Sequence, residues 1–191
     1  MTTRTRAGGR EALLEATVGV IAEHGWGGVT VRAVAERAKV SPGTVTYHFD
    51  SADSLLVAAL EFGAGQTAQM LEQLALDLQQ TDWGADAWSR AFVSALAHDL
   101  EANRPNHLAC FELQLLAARR PELAESAMRI RLAYFRVSRM ALQAQGMSGP
   151  ELELAAVNLT ALVTGLCLSE IASPQPGIEQ RLSLALGVIE D

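Results

Sequence analysis

The sequence predicts an all-α protein: a small N-terminal domain of three helices, joined through a long fourth helix to a larger helical body, about nine helices in all. Three observations carry that expectation. Alanine and leucine dominate a chain that is 49% apolar and only 5% aromatic, which favours helix over strand. Apolar residues recur at spacings of three and four, and no stretch alternates with period two. Prolines and glycine clusters punctuate these long periodic segments. At 191 residues the chain has room for one or two domains and an ample core.

The elements follow in order. Leu14, Val18, Ile21 and Ala22 form one helical stripe, stopped by Gly25-Trp26-Gly27-Gly28. Thr30 is a suitable N-cap for a second helix with Val31, Val34, Ala35 and Ala38 on one face. Ser41-Pro42 reads as N-cap plus proline at the first helical position, where the missing N–H costs nothing. This third helix runs to about His48. Ser51 caps the fourth, with Asp53 opposing the helix dipole in its first turn. Longer helices are expected at roughly 51–80, 84–102, 105–119, 121–145, 149–172 and 176–189, with Pro105, Pro121 and Pro150 near helix starts. The domains are expected at 1–50 and 51–191.

Charge divides along the same line. The whole chain carries −7, which argues against a protein coated in basic residues for nucleic acid or membrane. Residues 1–50 nevertheless hold six basic against five acidic side chains, a net +1, so the negative excess lies after residue 50. Cys110 and Cys167 are too few for a disulfide framework. Met1–Arg10 is polar and basic with no apolar run behind it, so no secretory leader is expected. There is no Gly-rich phosphate loop, no metal-ligand spacing among the histidines, and no nucleophile elbow. An enzyme, a metal site and a cofactor are therefore not expected.

The informative segment is Thr30–Leu56, TVRAVAERAKVSPGTVTYHFDSADSLL. It reads as helix, tight turn at Lys39-Val40, then short helix. Val45 and Phe49 are placed to anchor that short helix. Gly43, Thr44, Thr46, Tyr47 and His48 remain outward, small or hydrogen-bonding as a groove-entering surface requires. This is the layout of a helix-turn-helix.

Residues 10–56 resemble the DNA-binding domain of the TetR family of bacterial transcriptional regulators. The resemblance rests on Arg10, Gly25, Thr30-Val31, Ala35 and above all Val40-Ser41-Pro42-Gly43-Thr44, Tyr47-His48-Phe49, Ser51 and Leu55. It implies that Arg32, Ser41, Gly43, Thr44 and Thr46 face bases or the nearby backbone, and that Tyr47 and His48 contact phosphates; Lys39 and Pro42 belong to the same surface. The family typically carries a phosphate-contacting lysine just after the serine that opens the fourth helix. Here that position is Ala52, followed by Asp53. Lys39 and the tail arginines Arg4, Arg6 and Arg10 are the candidates to compensate.

The body is expected to sense and to dimerise. From Leu154 to Ala172 the only charge is Glu170, and a helix apolar all round must be covered all round. Asn158, Thr160, Thr164 and Ser169 argue against a membrane span. One face can then pack on its own domain and the other most simply on a second copy, the alternative being a monomer with this helix at its centre. Leu154, Val163, Leu166, Ile178, Leu182, Leu186 and Ile189 are the expected interface residues, in a four-helix seam. Phe62, Met70, Trp88, Phe92, Phe111, Glu112, Leu115, Tyr134, Asn158 and Leu162 are the expected lining of a largely apolar small-molecule pocket. Arg139 falls on an apolar stripe with Met128, Leu132, Phe135 and Leu142, and is expected to pair with a carboxylate such as Glu112.

These readings combine into a cytoplasmic, ligand-responsive homodimer that represses from a palindromic double-stranded operator and is released by a small apolar effector. The competing reading is a helical homodimeric ligand- or protein-binding module whose DNA affinity is weak or lost.

Overall fold

The computed structural model describes residues 9–79 and 85–185, apart from the side chains at 77–79, 85, 86 and 88. Arg4, Arg6, Leu186 and Ile189 therefore lie outside the described residues, as does the Trp88 side chain. The helices are α1 Arg10–His24, α2 Val31–Ala38, α3 Pro42–His48, α4 Ala52–Gln79, α5 Ala85–Ala102, α6 Arg104–Ala117, α7 Ala124–Ala144, α8 Pro150–Ala172 and α9 Ile178–Ala185. Two single 3₁₀ turns, Trp26–Gly28 and Pro121–Leu123, complete the described elements.

The starts follow the capping chemistry. Thr30 Oγ1 accepts the Ala33 N–H at 3.1 Å, and Ser41 Oγ accepts the Thr44 N–H at 3.2 Å. At the start of α4, Ser51 and Ser54 bond each other reciprocally, N–H to Oγ at 3.0 and 3.1 Å. Such caps satisfy amides that helix geometry leaves unpaired. Two boundaries differ from expectation. The sixth helix stops at Ala117 because the Arg119 and Arg120 amides both turn back to the Leu116 carbonyl, at 2.8 and 2.9 Å. The seventh opens with the 3₁₀ turn at Pro121 and becomes α-helical at Ala124.

The chain forms two compact units. One comprises Met1–Gly65 with Pro105–Ala127, the other Gln66–Arg104 with Met128–Asp191. In the first, Leu13, Ile21, Val34, Val45, Leu55, Leu60 and Leu113 are fully buried. There α4 and α6 approach closely at Gly63, whose carbonyl accepts a hydrogen bond from Asn106 Nδ2 at 3.3 Å. A Cβ on Gly63 would lie 2.6 Å from Asn106 Oδ1, so glycine is what permits the contact. In the second unit the core contains Leu71, Leu96, Tyr134, Val163, Ile171 and Leu182.

Helix α8, 23 residues long, is apolar enough to pass for a membrane span, with a mean hydropathy of 1.7 over an 18-residue stretch. Its two faces have different fates. Leu152, Ala156, Leu159, Val163, Cys167 and Ile171 are buried, whereas Leu154, Val157, Leu162 and Leu168 are exposed on the opposite face. The expected interface set is corrected accordingly: Val163, Ile178 and Leu182 are core residues at 1%, 8% and 0% exposure. Leu166 is half-buried and Leu154 is outward. Ile178 and Leu182 are buried because α9 packs against both α5 and α8. Glu170, the only charge on α8 beyond Glu153, pairs with Arg181 of α9 and accepts the Gln175 N–H.

Candidate nucleic-acid interface

The turn between α2 and α3 closes on a left-handed residue. Lys39 sits at φ 57°, ψ 42°, and the Val40 N–H returns to the Ala35 carbonyl at 3.0 Å. This six-to-one bond ends a helix tightly, ordinarily with glycine. A lysine there spends about 1 kcal/mol of backbone strain and gains an exposed cation beside the start of α3. Position 39 could not be told from an ordinary turn residue in the sequence.

Helix α3 is held from beneath by Val45 and Phe49, 0% and 5% exposed. Its other side faces away from the protein. Ser41, Pro42, Gly43, Thr46 and Tyr47 are exposed, while Thr44 and His48 are half-buried. Tyr47 is 84% exposed, so packing does not account for it; its ring stands edge-on to His48 at 5.0 Å between centroids. A Cβ added to Gly43 would meet only Ser41 Oγ, at 3.6 Å. Nothing within the protein thus requires glycine there, although it costs the helix about 1 kcal/mol relative to alanine. What it preserves is room for another surface to come close. Arg32 lies exposed at the start of α2.

Two arginines shape this platform from behind. Arg10, the first residue of α1, places its guanidinium 5.2 Å from the centre of the Phe49 ring, a cation–π geometry that keeps its charge near the end of α3. Arg37 of α2 lies across Gly19 of α1 and bonds Glu23 at 2.6 Å. This hydrogen-bonded cation holds the Glu23 carboxyl below the usual carboxylate range. Arg37 had no role in the sequence reading, since nothing local marks its partner.

Comparison with known proteins decides the family. Residues 13–59 match the model described as bacterial regulatory proteins, tetR family, and residues 83–190 match the tetracyclin repressor-like C-terminal domain. The chain belongs to the TetR family. Among solved structures, this TetR-family protein is similar to a transcriptional regulator from Rhodococcus sp. Rha1, at 30% identity and TM-score 0.71 over 94% of this chain and 95% of that one. A TetR-family member from Streptomyces coelicolor A3 superposes with TM-score 0.69 at 27% identity, covering 95% and 98%. The multidrug binding protein EbrR, complexed with imidazole, gives 26% identity and TM-score 0.62 over 95% of each chain. No curated protein matches. The chain is thus a DNA-binding transcriptional regulator with a C-terminal ligand-binding domain, and not an enzyme.

The expected pocket residues of this TetR-family regulator fall in both units. Phe92 and Tyr134 are buried in the second unit, and Met70 is half-buried there; Phe62, Phe111 and Glu112 are half-buried in the first. Leu115, at 68% exposure, points out from α6, while Asn158 and Leu162 belong to the outward face of α8. These three line no interior, because their helices turn other faces inward. Arg139 does pair with a carboxylate, but it is Glu153 at 2.7 Å, with Gln143 at 3.1 Å; the stripe it shares with Met128 and Leu132 is exposed. A separate open cleft of 460 Å³ in the second unit is lined by Ser94, His98, Glu101 and Glu179 among others, none of them an expected pocket residue. Among the described residues no group of three or more His, Cys, Asp or Glu is placed to hold a metal.

Proposed function

We propose that this regulator is a cytoplasmic repressor that binds a palindromic operator as a homodimer and is released by a small, largely apolar effector. In this reading residues 1–50 form the reading head and residues 51–191 the sensing and dimerising body. The observation that carries it is the outward side of α3. Its glycine serves no internal contact, its hydroxyls are small, and its tyrosine is 84% exposed. Arg32, Lys39, Ser41, Pro42, Gly43, Thr44, Thr46, Tyr47 and His48 are the assigned DNA surface, with side chains suited to base edges and phosphates.

Dimerisation is supported by the exposed row Leu154, Val157, Leu162 and Leu168 on α8, an apolar face that a second copy would cover under two-fold symmetry. Two heads at fixed separation then match half-sites one or more helical turns apart. A protein cover of this kind removes the need for a membrane. The effector class draws on Phe92 and Tyr134 in the interior and on the likeness to EbrR, whose structures hold imidazole and proflavin.

The competing reading, a helical module with weak or lost DNA binding, is favoured by one observation: Ala52-Asp53 stands where a phosphate-binding lysine is expected. Selection of bound sequences from a random duplex pool, with and without candidate apolar compounds, separates the two. A palindromic consensus that disappears with an effector supports the repressor. Absence of any shift on random duplex at low salt rejects it.

A further inference from the structure

One contact ties the start of α4 to the turn after α6. Arg120 donates from Nη1 and Nη2 to the two carboxylate oxygens of Asp53, at 2.7 and 2.8 Å, and from Nε to Glu122 at 2.8 Å. A forked guanidinium–carboxylate contact fixes direction as well as distance. Arg120 is the anchored member, with its side chain 24% exposed against 66% for Asp53. The Arg120 hydrogen bonds hold the Asp53 carboxyl below its usual range, so both groups stay charged at neutral pH.

Asp53 is rigidly connected to the reading helix. Only Phe49, Asp50 and Ser51 separate α3 from α4. Phe49 is buried, and Ser51 is locked to Ser54 by two reciprocal hydrogen bonds. No slack remains between the last residue of α3 and the first turn of α4. A shift of Asp53 is therefore carried into α3.

The dipole of α4 favours an acid in this turn, but beside a DNA surface the same charge repels phosphate, and the dipole does not require the fork to Arg120. We propose that Arg120 is a positioning residue for DNA binding: through its fork on Asp53 it fixes the α3–α4 corner and so the heading of the reading helix. The role goes beyond DNA binding itself, and the wild-type chain on the same duplex separates failure of one from failure of the other.

The two accounts of Asp53 predict opposite signs. If Asp53 only repels phosphate, Asp53→Asn tightens binding to the selected duplex. Under the proposal Asp53→Asn weakens it, Arg120→Gln weakens it equally, each by about three- to tenfold, and the double variant is no worse than either single. Arg120→Lys, which keeps the charge without the fork, falls between. The slope of log affinity against log salt stays unchanged, whereas loss of a direct phosphate contact lowers it by about 0.9. Unchanged thermal midpoints show that the chain remains folded; if Arg120→Gln lowers its midpoint, Arg120→Lys and Asp53→Asn carry the comparison. Tighter or unchanged binding by Asp53→Asn, additive losses in the double variant, or a reduced salt slope for Arg120→Gln overturns the proposal.

Discussion

Helices α3 and α8 each turn one face away from the protein, and the two faces are chemical opposites. That of α3 offers Ser41, Gly43, Thr46 and Tyr47; that of α8 offers Leu154, Val157, Leu162 and Leu168. Hydroxyls and a bare glycine suit a hydrated, charged duplex, where water and phosphate compete for every donor. A row of leucines has no such use and stabilises only when covered, at about 25 cal/mol per Å² of apolar surface. An outward face thus indicates the chemistry of what it meets. Damage to the α3 face should leave assembly intact, and damage to the α8 face should reach DNA binding only through loss of the second head.

The sharpest way to break the comparison is to remove the support of α3. Val45→Asp buries a charge with no partner at a site of 0% exposure, at a cost of about 3–5 kcal/mol. Gel-shift affinity should fall at least about a hundredfold, while sedimentation shows the same oligomeric state as wild type. Affinity within threefold of wild type would exclude α3 as the reading element.

Leu154→Asp with Leu168→Asp should do the reverse. Sedimentation is expected to show the monomer mass, with the chain still folded because both positions are exposed in the single chain, and with the thermal midpoint lowered as far as association had raised it. Binding to a two-half-site duplex should fall by about ten- to a hundredfold as the advantage of linkage is lost. A dimer that survives both substitutions places the interface elsewhere.

Gly19→Ala tests the scaffold behind α3. The new Cβ would lie 2.1 Å from Arg37 Nε, which must leave its seat and its bond to Glu23. Because the guanidinium is the far end of a flexible side chain and alanine regains about 1 kcal/mol of helix propensity, a net loss of at most about 1 kcal/mol is expected by thermal melting, with affinity following only as far as α2 shifts. An unchanged midpoint would mean that Arg37 finds an equivalent seat.

The smallest effect lies in the body. Burial pushes the Cys167 thiol up to about 12, so its native form stays protonated and slow to alkylate. The folded value is above the unfolded one. The contribution is therefore complete below about pH 9, the unfolded thiol range, and is lost as pH rises toward 12. Alkylation of native protein at pH 8 as fast as that of unfolded chain contradicts this.

How much of this was legible in the sequence depended on distance along the chain. The caps at Thr30, Ser41 and Ser51 could be read because each bonds an amide three residues on. The outward residues of α3 could be read for the same local reason. On α8 the apolar character was plain, but which side was covered was not, since tertiary packing, that of α9 included, decides it and leaves no local pattern. That is why Val163, Ile178 and Leu182 were misplaced as interface residues, and why Leu115, Asn158 and Leu162 were misplaced as pocket lining. Arg120 and Asp53, 67 residues apart, left no local trace. Glu153 instead of Glu112 as partner for Arg139 is the same lesson at shorter range.

The central claim is that two reading heads, nearly neutral singly, are made effective by an acidic body that pairs them. The most direct measurement is titration of the selected palindromic duplex against a duplex carrying one half-site, with the stoichiometry read by sedimentation at matched salt. The account predicts two chains per palindrome and at least about a hundredfold weaker binding to the half-site. Equal affinity for both duplexes, or one chain per palindrome, would contradict it.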